Sequence, residues 1–449
     1  MTVATAVHRL EFGDQASLDG SLSALARRLR GSEILRIAAE VRAAGAARKI
    51  CNLTVGDFDP RQFPIPAPLA SLLVKALDAG ETNYPPSDGL LALRQAVVEH
   101  VAQSEGVSYP LESVMITGGG RPAIYGAFRC LVDPGDTVLY SVPSWNNDHY
   151  TGFVEAVPRV IVARRDRGFQ PTALELEPHL SEATLVCLCS PGNPTGTVLP
   201  SAELRAILEA VVAENARRAE TGRRPLFVLY DLMYGSLVFD GLVHPHPLAM
   251  VPEAAPWLVV VDGISKAFAA TGLRVGWVMG APAVIARLRD FLGHVGAWAP
   301  RAEQVATAAF LRDAEGIARF RAQMNAALLA RLTAIHEGFT ALREAGFPVD
   351  CVRPEGAMYL SLRLDLAGRK FEGAIIEGNE AIRRLLLERA GVAVVPFQAF
   401  GLTGESGWFR LSAGAVSLKD IEEAIPRVRG LLEGVREPGS QGASSSLVP

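Results

Sequence analysis

Cysteine is scarce in this chain: five among 449 residues, at no regular framework spacing. Cys51, Cys130, Cys187, Cys189 and Cys351 therefore give no disulfide scaffold and fit a reducing compartment. Cys187 and Cys189 lie inside an apolar run, Ala183–Cys189, where thiols pack as small hydrophobes. C-x-C without matching His or Cys elsewhere is a poor zinc signal, and no metal is expected. An excess of one charge is also lacking. Against 48 Asp and Glu stand 44 Lys and Arg, a net charge of −4. That excludes the basic field that holds nucleic-acid phosphates. Dominant disorder needs low hydrophobicity and high net charge, and 49% hydrophobic residues exclude it. Long apolar runs are missing too. The uncharged stretch Ala183–Ala202 is interrupted by Pro191, Gly192, Asn193, Pro194, Gly196 and Pro200, so it reads as a strand and a turn, with no membrane span. Met1–Arg9 lacks the continuous apolar core of a signal peptide. The expectation is a soluble, cytoplasmic protein.

What is present is alternation. Short runs rich in Val, Ile and Leu occur at Ser113–Thr117, Thr137–Ser141, Arg159–Val162, Leu185–Cys189, Leu226–Tyr230 and Trp257–Val261. Helical patterns separate many of them: Gly89–Gln103, Pro122–Leu131, Ser201–Ala219 and Ala283–Phe291. Strands alternating with helices predict an α/β fold with a mostly parallel central sheet in a large domain. The last third differs. Ala302–Ala345 reads as one long helical region, and Asp350–Leu364 and Val392–Ser412 as short strands around a helix at Glu377–Ala390, which makes a smaller α+β domain. Ser21–Ala44 reads as a helical segment packing on that smaller domain. The expected division is an N-terminal segment at 1–60, a large domain at 61–310, a small domain at 311–436, and a disordered Gly/Ser/Pro-rich tail at 437–449.

Chemistry-bearing residues gather at the carboxyl ends of these strands, where open α/β sheets bind ligands. Trp257–Val261 leads into Asp262-Gly-Ile-Ser-Lys266, with Arg274 eight residues on. A lysine there can be partly desolvated, which lowers its pKa and makes it a Schiff-base nucleophile. Leu185–Cys189 leads into Ser190-Pro-Gly-Asn-Pro-Thr-Gly196, a turn that presents the Asn193 amide. Tyr230-Asp-Leu-Met-Tyr234 places a carboxylate where it can hold a protonated ring nitrogen. Thr117-Gly-Gly-Gly-Arg-Pro122 opens a helix whose free N–H groups suit a phosphate; the G-x-G-x-x-G spacing of a dinucleotide site is absent.

These four strand ends, in this order, resemble the fold-type I pyridoxal-phosphate enzymes, specifically the aspartate aminotransferase-like class I/II aminotransferases. The resemblance runs from about Asn52 to Arg427. It implies pyridoxal 5'-phosphate as cofactor and the following roles. Lys266 would link to the cofactor and then carry a proton between substrate Cα and cofactor C4′. Asp231 would keep the pyridine nitrogen protonated. Asn193 and Tyr234 would hydrogen-bond the ring's phenolic oxygen, and Trp145 would stack on the ring. The Gly119, Gly120 and Arg121 backbone, Ser265 and Arg274 would bind the phosphate. Tyr84 resembles the tyrosine that reaches the neighbouring subunit's phosphate, which implies a homodimer with shared sites; the other reading is a turn aromatic in its own subunit. Arg410 would grip the substrate α-carboxylate beside Gly56, and Asn193 would line the same pocket. One position departs from the pattern. Many members carry a hydroxyl residue three before the lysine, and here it is Gly263.

The resemblance implies transamination between an L-amino acid and a 2-oxo acid such as 2-oxoglutarate, with an acidic, aspartate-like amino acid favoured. Arg121 would read the distal carboxylate, or contribute only its backbone N–H. Arg301 is a second candidate cation, and Trp298 and Tyr125 a candidate aromatic lining instead. A lyase on the same scaffold is the alternative reaction. A cofactor-sensing regulator is disfavoured, because about fifty residues precede Asn52 and show no complete winged-helix pattern.

Overall fold

Short runs of branched aliphatics can be buried on both faces only inside a sheet covered on both sides. The computed structural model, which describes residues 10–13, 15–29, 31–45 and 48–437, shows such a sheet. After a two-residue strand β1 (Cys51–Asn52) come β2 (Val114–Thr117), β3 (Thr137–Val142), β4 (Val157–Val162), β5 (Ala183–Cys189), β6 (Phe227–Asp231), β7 (Leu258–Gly263) and β8 (Gly276–Met279). The last seven pair in the order β2-β8-β7-β6-β5-β3-β4. Neighbours are parallel from β7 to β4, and only β8 runs against both of its partners. Side chains alternate between two cores. On β7, Leu258 and Val260 face a core with Leu93, Val97, Leu208 and Val211, while Val259 and Val261 face another with Phe128, Leu288 and Leu292. This is the period-two signature of a strand between two helical layers.

A second set of strands follows: β9 (Val349–Cys351), β10 (Tyr359–Leu364), β11 (Lys370–Phe371), β12 (Ala374–Ile375), β13 (Val392–Ala393), β14 (Val395–Pro396), β15 (Trp408–Ser412) and β16 (Val435–Arg436). β14-β15-β10-β9 form an antiparallel sheet that packs with the helices Ala314–Glu344 and Leu418–Glu433 into a third core. Tyr234, Leu237 and Phe239, just past β6, belong to that third core. β1 pairs with β13, so the segment holding Gly56 is tied to the C-terminal part of the chain.

Several expected elements differ. Ala302–Ala345 is two helices, Arg301–Phe310 and Ala314–Glu344. The first ends at Phe310, and Asp313 caps the second, its carboxylate accepting the Gly316 N–H at 2.9 Å. Ser21–Ala44 is likewise divided, into Ala24–Arg28 and Glu33–Gly45. In the second of these, Ile37 and Val41 pack in a core that holds residues of both sheets, and Glu40 pairs with the buried Arg383. The helix expected at Glu377–Ala390 begins at Asn379 and widens to a π turn at Leu386–Ala390. β8 was not among the expected strands, because Gly272–Trp277 was read for its arginine and glycines. The expected tail is outside the described residues apart from Glu437, as is Met1–Arg9. Among the described residues no helix is long and apolar enough to cross a membrane. All five cysteines are free.

Candidate active site

Strands running the same way end at the same edge, so the residues after β2, β5, β6 and β7 converge there. Lys266 is in the single helical turn Ile264–Ala267 directly after β7. Its Nζ donates to the Gly56 carbonyl at 2.7 Å and lies 5.9 Å from the Phe58 ring. Burial pushes this amine down to about 8; Arg410, Arg121 and Arg274 push the same way, while Asp57 opposes them. At neutral pH about a tenth of such amines are uncharged, against well under one in a thousand for an ordinary lysine.

Asp231 ends β6. One of its carboxylate oxygens accepts the Met233 N–H at 3.0 Å, and burial raises its pKa to about 6 despite that bond. A half-buried acid with one backbone donor and, among the described residues, no ion-pair partner suits a counter-charge.

Behind Lys266 the polar groups close into a circuit. Arg410, on β15, donates to the Asn193 side-chain oxygen at 3.1 Å and to the Thr54 carbonyl at 2.7 Å. The Asn193 amide donates to the Tyr234 hydroxyl at 3.4 Å, and that hydroxyl is 2.8 Å from the Tyr359 hydroxyl. The Tyr359 ring returns to Arg410, whose guanidinium lies 4.6 Å from it and 4.9 Å from the Phe400 ring. Arg410 is 1% exposed, and its Nε has no partner among the described residues. A Cβ on Gly56 would lie 2.9 Å from the Tyr359 hydroxyl and 3.5 Å from an Arg410 nitrogen, so glycine keeps the approach to Arg410 open.

The glycine loop forms the other end. Gly119, at φ +91°, precedes the helix Gly120–Leu131, whose first N–H groups have no side-chain cap. Arg274 lies against this loop, donating to the Gly118 carbonyl at 3.0 Å and the Thr271 carbonyl at 2.6 Å. A Cβ on Gly119 would sit 2.3 Å from an Arg274 nitrogen. Uncapped N–H groups beside a guanidinium make an anion cradle. Ser265 is buried on the same turn as Lys266. Trp145 has the Arg121 guanidinium 5.2 Å from its ring and Phe400 at 6.4 Å. Among the described residues no three His, Cys, Asp or Glu side chains are grouped to hold a metal ion.

An anion cradle, a depressed lysine, an acid lacking a cation and an arginine with an orphaned Nε suit a phosphorylated aldehyde with a basic ring and a carboxylate-bearing substrate. The comparisons decide the family. The profile described as "Aminotransferase class I and II" matches residues 48–428. The chain belongs to this family. Class I and II aminotransferases depend on pyridoxal phosphate, and this chain is such an aminotransferase. It is similar to an aspartate aminotransferase of Streptomyces avermitilis, 32% identical over 90% of this chain and 95% of that protein. The crystal structure of the aspartate aminotransferase from Rhizobium meliloti superposes with a TM-score of 0.83 at 27% identity, covering 92% of this chain and 99% of that one. The aspartate aminotransferase from Thermus thermophilus solved with maleate gives 0.81, also at 27% identity, over 92% and 100%.

The close pairing of β7 and β8 in this chain accounts for glycine at position 263. Gly263 faces Gly276 across β7 and β8, and a Cβ there would sit 2.7 Å from the Gly276 Cα and 2.8 Å from the Val275 carbonyl oxygen. Gly263→Ser therefore crowds the two strands that carry Lys266 and Arg274. We expect the Kd for pyridoxal phosphate, measured by equilibrium dialysis, to rise by about tenfold; tighter binding would refute the steric account.

The remaining candidates include Trp298, whose backbone lies against Gly118 of the glycine loop. Arg301 is paired with Glu81. Tyr125 packs with Tyr150, Phe153 and Phe291, and Trp298 pairs edge-on with Tyr84. Tyr359, Phe400, Thr54 and Asp57 were missed. Only the adjacency of Thr54 and Asp57 to Gly56 was a signal in the sequence. Asp57 also accepts the Thr271 hydroxyl at 2.7 Å, bracing the loop that leads to Arg274.

Proposed function

We propose that this enzyme transaminates aspartate, or a closely related dicarboxylic amino acid, against a 2-oxo acid such as 2-oxoglutarate. The observation that carries the reading is a second guanidinium at the site. Arg121 lies over Trp145 and acts electrostatically on Lys266 and Arg274, and among the described residues no carboxylate pairs with it. Arg410 and Arg121 then offer one cation for each carboxylate of the substrate. The names of the relatives support this, as does the maleate, a dicarboxylate, in the Thermus thermophilus structure.

The roles are those the family resemblance implies, and the contacts around each residue support them. Arg410 holds the α-carboxylate and, with it, fixes the orientation of the Cα–H bond. Arg121 holds the distal carboxylate. With the cofactor bound, Lys266 Nζ would take the proton from substrate Cα and deliver it to the cofactor's C4′. Asp231 would pair with the ring nitrogen and keep its proton in place. Tyr234 and Asn193 would hydrogen-bond the phenolic oxygen, and Trp145 would stack on the ring. Gly119, Gly120, the Arg121 N–H, Ser265 and Arg274 would hold the phosphate. When bound, pyridoxal phosphate supplies the electron-accepting ring that stabilises negative charge at Cα.

The same reading gives a cytoplasmic homodimer in which Tyr84 reaches a partner subunit's phosphate site. Its side chain is 81% exposed although it packs edge-on against Trp298. Residues 61–310 would be the cofactor-binding domain and 311–436 the small domain, with the N-terminal segment packed against the latter.

The test is Arg121→Ala. A lost charge-assisted contact should cut kcat/KM for aspartate by about tenfold to a hundredfold, while kcat/KM for alanine changes by less than about threefold. Equal losses for both would reject Arg121 as the side-chain reader.

A further inference from the structure

Tyr359 is in none of the motifs that mark the site, yet it touches both halves. Its ring packs on the Arg410 guanidinium at 4.6 Å, and its hydroxyl is 2.8 Å from the Tyr234 hydroxyl. The site that Gly56 leaves free of a side chain is 2.9 Å from the same hydroxyl. We propose that Tyr359 is a positioning residue that aims Arg410 at the substrate carboxylate with its ring and fixes the hydrogen-bond direction of Tyr234 with its hydroxyl. The proposal deepens the reading above and rests on the roles given there to Arg410 and Tyr234.

The hydroxyl argument is one of counting donors. A tyrosine has one O–H to give and can accept at its oxygen. The Tyr234 oxygen already takes the Asn193 amide at 3.4 Å. If Tyr234 gave its proton to Tyr359, nothing would remain to donate to the cofactor's phenolic oxygen. Tyr359 as donor leaves the Tyr234 O–H free to point into the site. A donor behind Tyr234 also strengthens the bond Tyr234 makes in front, because hydrogen bonds in a chain polarise one another. Tyr359 is fully enclosed, which raises its pKa, with Arg410 opposing; it stays protonated across the working range and keeps its proton to give.

The ring argument is one of orientation. Arg410 has partners for Nη1 and Nη2 but none for Nε. Its Cζ lies over both the Tyr359 and the Phe400 ring, and contact with two rings limits the freedom of a guanidinium to tilt. β10 and β15 set this pairing: Ser361 stands opposite Arg410, and Tyr359 lies two residues along the same face of β10.

Two variants separate the functions. Tyr359→Phe keeps the ring and removes the hydroxyl; Tyr359→Leu removes both. Each is loaded with pyridoxal phosphate and titrated by visible absorbance, with Tyr234→Phe as control, and KM and kcat are measured with whichever amino acid the wild type uses fastest. For Tyr359→Phe we expect the absorbance midpoint to move up by about half a unit to one unit, with KM within about twofold of wild type. For Tyr359→Leu we expect the same midpoint shift and a KM raised about tenfold. A Tyr359→Phe midpoint within about 0.2 unit of wild type, when Tyr234→Phe does move it, overturns the hydroxyl role and leaves the roles under "Proposed function" standing. An unchanged KM in Tyr359→Leu overturns the ring role. If Tyr234→Phe leaves the midpoint in place as well, the assignment of Tyr234 falls and takes the hydroxyl role with it.

Discussion

Lys266→Ala is expected to keep the fold and to lose turnover by about 10⁴-fold or more, since a nucleophile and a positioned proton carrier disappear together. The fold should survive because little depends on the side chain. Lys266 is half-buried, and its described hydrogen bond goes to the Gly56 carbonyl, which a water at the open side can satisfy in its place. The methylenes lost are few beside cores of this size. The measurement is a pair. Thermal unfolding of the cofactor-free proteins should differ by a few degrees at most, while rapid mixing of loaded enzyme with amino acid should show no conversion on the wild-type timescale. Lys266→Arg makes the sharper case. It keeps a positive charge at the position but cannot be neutral near pH 7, so it should be as inactive as alanine. Substantial activity in either variant would remove Lys266 from the chemistry.

Why was this lysine legible from sequence while Tyr359 was not? Lys266, Asn193 and Asp231 lie at or within a few residues of strand ends, in short turns where the backbone fixes their direction. A parallel sheet brings all such turns to one edge, so reading the strands was enough to bring the residues together. The strands were readable in turn because burial on both faces leaves near-continuous apolar runs. Tyr359 and Phe400 reach the site from the C-terminal sheet, by a packing of one layer on another that no local pattern encodes. Tyr359 in sequence is one more aromatic at the start of a strand. Arg410 comes from that same sheet and was found only through the family resemblance. Gly263 shows the reverse case. The sequence exposed a departure, but its cause, the closeness of Gly276 on the antiparallel β8, needed the strand pairing. Breaks inside helical regions were the other blind spot. Asp313 is a good cap residue, but Ala302–Ala345 is helical in composition on both sides of it, and propensity alone carries the pattern across.

Asp231→Asn should have two opposite effects, one on stability and one on catalysis. In the cofactor-free protein, burial holds the Asp231 pKa near 6, above its ordinary 3.8. A carboxyl raised on folding destabilises the folded state as pH climbs through that interval, and the cost is fully present above about 6. Two units correspond to about 3 kcal/mol as an upper figure, lessened by the side chain's opening to the cavity. Asparagine keeps the acceptor for the Met233 N–H and carries no charge, so the cofactor-free variant should unfold at a higher temperature than the cofactor-free wild type at pH 7. The gap should close toward pH 4, where Asp231 is itself neutral. Catalysis should move the other way. An amide cannot balance a protonated ring nitrogen, so turnover should fall by about 10³-fold, the scale at which one well-placed electrostatic contact acts in a dry site. Cofactor binding should then stabilise the wild type more than the variant, because only the wild type gains an ion pair on loading. Unfolding scans with and without pyridoxal phosphate at pH 4 and 7 test all of this together. A variant no more stable than wild type at pH 7 without cofactor, or as active with it, would mean that the Asp231 charge does not face the ring.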